Sequence, residues 1–140
     1  MINRERLVKT FCELAEIDSP SGEEEDMAID LTQRLVSLDF QTTRDDYNNL
    51  IATKGEGQPI LLSAHMDTVE PGRGIKPKVH EDKIVSDGTT IVGGDCKAGV
   101  AAILEALNSI QEDNVESHPV ELVFTREEEI GLVGLSLIHI

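Results

Sequence analysis

In the first part of the chain, apolar positions recur three and four residues apart, which predicts two amphipathic helices. Leu7, Phe11, Leu14 and Ala15 form one stripe, in a helix from Asn3 to about Ile17. Asp18-Ser19-Pro20-Ser21-Gly22 ends it. Ser21 and Glu24 have the spacing of a capping box, and Glu23 to Asp26 place negative charge on the first turn of a second helix. That helix runs to about Leu38, with Met27, Leu31, Leu35 and Leu38 on its buried stripe. The pattern then shortens into runs that predict strands near Phe40–Asp45, Asn49–Thr53, Ile60–Ala64 and Val120–Thr125. The stretch from Pro71 to Asp87, rich in Gly, Pro and charge, reads as a surface hairpin with arms at Lys76–His80 and Lys83–Ser86. Thr89–Gly94 reads as a further buried strand. A helix follows from about Lys97 to Gln111, and its small residues Ala98, Gly99, Ala101 and Ala102 allow close packing on a sheet. No repeat and no linker interrupts the pattern, and helices interleaved with strands predict an α/β fold.

Composition narrows the class. The chain has 140 residues, of which 39% are hydrophobic, enough for one globular domain with a real core. A net charge of -15 argues against a nucleic-acid or anionic-membrane partner, because phosphate binding needs a basic surface. Bound cations would neutralise part of that charge. The first residues, Met1 to Arg6, contain no apolar h-region, so no signal peptide is expected. No apolar run is long enough to span a bilayer. Cys12 and Cys96 do not make a secreted-type cysteine framework, and the expected compartment is the cytoplasm.

The candidate chemistry lies in three clusters, each after a predicted strand: His65-Met66-Asp67, Asp95-Cys96-Lys97 and Glu127-Glu128-Glu129. Ligands of open α/β sheets bind outside the carboxyl ends of strands, so the three clusters are expected to converge. His65 and Asp67 are two apart in extended chain and leave the same side, a spacing that lets a carboxylate hold the second nitrogen of a metal-binding imidazole. Asp95 follows Gly93-Gly94, and its two oxygens suit it to bridge two cations held roughly 3.5–4 Å apart. Of three consecutive glutamates not all can share one role, since neighbours in extended chain point in opposite directions. One can ligate a metal while an adjacent one activates water. Taken singly, each cluster has a commoner reading: a strand-end His beside a solvated Asp, a helix N-cap Asp, a solvated charge run. Their joint placement favours a site with two ions. Lys97 reads as a surface or local salt-bridge residue, and Cys96 as a small buried thiol.

Three motifs carry a resemblance: Ser63-Ala64-His65-Met66-Asp67-Thr68-Val69, Gly94-Asp95-Cys96-Lys97-Ala98-Gly99 and Glu128-Glu129-Ile130-Gly131-Leu132-Val133-Gly134. With Ile17–Glu24 and Ser86–Thr90, they resemble the signatures of co-catalytic zinc aminopeptidases and carboxypeptidases, most of all the peptidase T-like metallopeptidases. The resemblance covers about residues 3–134. It implies a three-layer α/β catalytic domain with a mixed central sheet, short peptides as substrate, and two zinc ions, with cobalt or manganese as alternatives. It implies that His65 binds one zinc, Asp67 orients His65, Asp95 bridges both ions and Glu129 binds the other. Glu128 would be the general base on the water between them, and Glu127 would have no role. Cys96 departs from the pattern, in which a second Asp usually stands.

The family also has a further acidic ligand, a His near its C-terminus, and an inserted domain for dimerisation or as a lid, none of which this sequence contains. Residues 1–134 are therefore expected to be the N-terminal part of the catalytic domain, with weak zinc binding and no turnover. Residues 135–140 read as a non-native tail resembling translated adapter sequence, which gives His139 little weight as a ligand. Two rival functions remain: a deacylase of N-acyl amino acids using the same dinuclear site, and a non-catalytic acidic domain binding calcium or magnesium through oxygens.

Overall fold

The structure, a computed structural model, describes residues 1–136; residues 137–140, His139 among them, lie outside the described residues. Helix α1 spans Arg4–Glu16, and the Asn3 side chain caps it by accepting from the Arg6 amide at 3.0 Å. Its Phe11, Leu14 and Ala15 are buried, as the stripe predicts. Helix α2 spans Glu25–Ser37 and buries Met27, Ala28, Leu31 and Leu35. Three short strands follow, β1 at Gln41–Arg44, β2 at Leu50–Lys54 and β3 at Ile60–His65. The surface hairpin forms with shorter arms than expected, β4 at Lys78–Val79 and β5 at Ile84–Val85. Helix α3 spans Gly94–Glu112, but Asp95 and Cys96 have non-helical backbone angles, so its regular part starts near Lys97. Strand β6, Val120–Thr125, and a single turn α4, Val133–Ser136, complete the order.

The main sheet has the order β1-β2-β6-β3. β1 with β2 and β2 with β6 are antiparallel, while β3 with β6 is parallel, so the sheet is mixed as expected. The register places Leu50 opposite Phe124, Ala52 opposite Leu122, Leu62 opposite Leu122 and Ala64 opposite Phe124. Side chains alternate faces along a strand, so these residues share one face. They form a single cluster with Leu14, Met27, Leu31, Leu35, Val100 and Leu104 from the helices. A fully buried Leu or Phe contributes about 1.5–3 kcal/mol relative to leaving it in water, and this cluster fixes how the strands lie beneath the helices. The opposite face carries Leu61, Ser63, Glu121, Val123, Ile51 and Thr53. Leu61, Ser63 and Thr53 on it are exposed. The described residues thus supply a sheet and one helical layer of the three layers the resemblance implies. Among them no helix is long and apolar enough to cross a membrane.

Two sequence readings are corrected. Thr89–Gly94 is not a strand but irregular chain, tied to the loop after β3 by the Ile91 amide on the Pro71 carbonyl at 2.9 Å. Gly93 sits at φ 76 and Gly94 opens the helix, so the run lacks the extended geometry a ladder requires. Nor do Ser21 and Glu24 form a capping box. Glu24 is itself the N-cap residue of α2, with no side-chain capping bond, because Ser21 donates to Asp67 in the loop after β3 and Glu24 accepts the Glu127 amide in the loop after β6.

Candidate metal centre

His65 ends β3 and is 7% exposed. Its Nδ1 lies 2.8 Å from the Asp67 backbone carbonyl and 3.3 Å from the Asp67 carboxylate. This leaves Nε2 facing outward, 3.0 Å from Asp95 Oδ1 and 3.7 Å from Glu128 Oε2. One ligand atom each from His65, Glu128 and Glu129 lie within 4.8 Å of one another, and the same holds for His65, Asp95 and Cys96. The three clusters therefore do converge. Asp95 arrives from the kink at the start of α3 rather than from a strand end, and its side chain is exposed.

Asp67 carries more of the geometry than its expected contact with His65. It is fully buried and receives Ser21 Oγ at 2.6 Å, the Glu128 amide at 3.0 Å and the Glu129 amide at 3.1 Å. Burial pushes this carboxyl up, but the bonds from His65, Ser21 and the two amides outweigh burial and hold it at about 2. Burial pushes the His65 imidazolium down, yet its contacts with Asp67 and Asp95 bring it to about 9. Without a cation the carboxylates thus favour the protonated ring. Burial also pushes the Glu129 carboxyl up; the neighbouring Asp95, Glu128 and Asp67 add to this and His65 opposes it.

The donor set fits a divalent transition metal. An imidazole whose Nδ1–H is fixed by a protein oxygen presents Nε2 as a ligand, and carboxylates complete a mixed nitrogen and oxygen set. Binding would displace the Nε2 proton.

Glu127 stands apart from the cluster. Its backbone is left-handed at φ 53, and its carboxylate accepts from the Tyr47 hydroxyl, which raises the Tyr47 pKa. Lys97 corrects the sequence reading: it is fully buried, not on the surface, and its Nζ donates to the Ile17 carbonyl at 2.6 Å. Burial pushes its ammonium down to about 8, against the opposing charge of Asp18. Cys96 is half-buried and packs against the core.

Sequence reasoning missed Ser21, Glu24 and Arg126. Glu24 is 1% exposed; its Oε2 meets Arg126 Nε at 2.8 Å, and its Oε1 accepts the Gly22 amide at 2.8 Å and the Glu127 amide at 3.1 Å. The available signal was a polar Ser-Gly-Glu-Glu run facing an Arg beside the acidic cluster, but these lie 102 positions apart.

Comparison with known proteins gives the family and the fold. The model of peptidase family M20/M25/M40 matches residues 61–138. The protein YqjE of Bacillus subtilis, itself uncharacterised, is 40% identical over 145 aligned residues that cover 96% of this chain and 39% of its own. A tripeptidase from Staphylococcus aureus superposes with a TM-score of 0.94 at 38% identity, over 99% of this chain and 40% of its own. The aminopeptidase PepT of Bacillus cereus does so with a TM-score of 0.94 at 39% identity, over the same shares. The chain therefore spans about 40% of the length of these relatives. A family match over more than half the sequence, on a fold shared almost end to end with two such enzymes, makes this chain a peptidase T-like member of peptidase family M20/M25/M40.

Proposed function

We propose that this chain is part of a zinc-dependent peptidase that removes N-terminal residues from short peptides. The observation that carries the reading is His65 Nε2, fixed by the contact of Nδ1 with Asp67 and facing Asp95 and Glu128. In this reading His65, Asp95 and Glu129 would hold the metal ions, and Asp67 orients His65. Two bound zinc ions would polarise the scissile carbonyl and lower the pKa of water. Glu128 takes the proton of the attacking water and delivers it to the leaving amine nitrogen. Asp67 holds the Glu128 and Glu129 amides, so the two carboxylates stay on the side of His65. The S. aureus tripeptidase and the B. cereus aminopeptidase support a small peptide as substrate over an N-acyl amino acid. The compartment proposed is the cytoplasm.

The test is metal selectivity. Zinc and calcium are titrated separately into the 140-residue chain and into His65→Ala. Preference for zinc, lost in His65→Ala, is expected. Equal or tighter calcium binding, indifferent to His65, would mean an acidic cation-binding domain instead.

A further inference from the structure

One short segment, Ile17–Glu24, touches every loop that bears a candidate ligand. Lys97, two residues after Asp95, donates to the Ile17 carbonyl. The Gly74 amide donates to Asp18 at 2.7 Å. Ser19 Oγ donates to the Met66 carbonyl at 2.9 Å, and the Thr68 amide returns to the Ser19 carbonyl at 2.9 Å, bracketing Asp67. Ser21 donates to the Asp67 carboxylate, and Glu24 accepts the Glu127 amide and pairs with Arg126. Arg126 also reaches the Gly22 carbonyl at 3.2 Å and the Tyr47 carbonyl at 3.3 Å.

The consequence shows in the acidic loop. Three successive amides, of Glu127, Glu128 and Glu129, each end on a buried carboxylate: Glu24 Oε1, Asp67 Oδ1 and Asp67 Oδ2. Side chains of consecutive residues diverge, so fixing three amides fixes which carboxylates face His65. Neither Glu24 nor Ser21 reaches the reacting atoms.

We propose that Ser21 and Glu24 are positioning residues, which set the acidic loop through Asp67 and Arg126 so that Glu128 and Glu129 are presented to His65. The inference rests on the metal-site reading for its consequence, but its structural content is independent of any metal.

Two disruptive variants of the 140-residue chain and one rescue variant test it. Glu24→Gln keeps the volume and removes the charge facing Arg126; Ser21→Ala removes one half-buried hydroxyl, and Ser21→Thr restores it. Amide exchange is followed in the metal-free chain, with the Leu122 and Phe124 amides of β6 as internal reference. Relative to these, the Glu127 amide in Glu24→Gln, and the Glu128 and Glu129 amides in Ser21→Ala, are expected to exchange at least about tenfold faster, as local opening does. Zinc affinity is expected to fall about tenfold or more in both, as for loss of a group that orients a ligand, and to return in Ser21→Thr. Loop and β6 amides accelerating together would overturn the proposal, because the residues would then only support the fold. Unchanged loop exchange in both variants would also overturn it. Zinc binding by the parent chain that is indifferent to His65→Ala would sink the metal-site reading, while the exchange ratios still decide this one.

Discussion

At the scale of residues, the three glutamates separate by what holds them. Glu127 is turned toward Tyr47 and Glu24, whereas Glu128 lies 3.7 Å from His65 and Glu129 joins the same group of ligand atoms. In a full-length peptidase T-like enzyme carrying these residues, Glu128→Gln is expected to lower kcat by about 10²–10⁴ with metal content retained. Glu129→Gln is expected to lower metal content, and Glu127→Gln to leave both nearly intact. Loss of activity in Glu127→Gln alone would shift the assignment by one residue. Lys97 supplies a stability prediction. Truncation to Ala removes a fully buried stem and leaves the Ile17 carbonyl without its donor. A loss of about 2–4 kcal/mol is expected in urea unfolding, from the cavity and the lost bond together.

At the scale of elements, α1 is fastened to α3 by one buried carboxylate. Glu105 accepts from the Asn3 amide at 2.7 Å, from Arg6 Nε at 2.6 Å and from Ser109 Oγ at 2.9 Å. Arg6 holds its carboxyl at about 2, against the upward push of burial and with help from Asn3 and Ser109. The folded pKa lies below the ordinary value of 4.5, so the stabilisation is present above that value and fades as pH falls toward about 2. Glu105→Gln is expected to cost about 2 kcal/mol near neutral pH, with the gap to the parent chain closing in acid, as read by denaturant midpoints across pH. A gap independent of pH would mean that the charge contributes nothing. The turn into α4 is constrained by contact rather than charge. A Cβ at Gly134 would sit 2.3 Å from the Arg126 carbonyl and 2.6 Å from Asn49 Oδ1. Gly134→Ala is therefore expected to destabilise by about 1–3 kcal/mol and, because it pushes on Arg126, to weaken zinc binding as well.

At the scale of the whole molecule, the proposed assignment would give each ion two protein ligands among the described residues, His65 with Asp95 and Asp95 with Glu129, where catalytic zinc takes about three. The 140-residue chain is expected to bind zinc weakly and to show no turnover on a tripeptide panel. Stoichiometric two-zinc binding with turnover would overturn that expectation. β3 lies at the edge of the main sheet, with Ile60 51% and Leu61 44% exposed, and such an edge invites pairing. The charge of -15 opposes association at low ionic strength and is screened by salt. Sedimentation is expected to show self-association that grows with salt and is reduced by Leu61→Lys.

Periodicity along the sequence determined the faces of α1 and α2, four strands and the α3 span, because helix and strand repeats are local and burial follows from them. Residue types marked His65, Asp95 and the three glutamates as candidate ligands, since donor atoms belong to residue types, while the choice of Glu128 and Glu129 came from the resemblance. Other features depended on partners distant in sequence. Ser21 and Glu24 matched a capping box locally, yet a buried carboxylate and an arginine on other loops compete for them and win. Lys97 read as a surface or local salt-bridge residue, yet the fold buries it with its ammonium on the Ile17 carbonyl. Thr89–Gly94 had strand-like composition, but left-handed Gly93 and the start of α3 at Gly94 cut the run short, and its Ile91 amide goes to the Pro71 carbonyl instead. Local pattern sets which elements form; only the tertiary structure decides which polar groups meet, because a buried donor or acceptor must find its partner wherever the fold brings one.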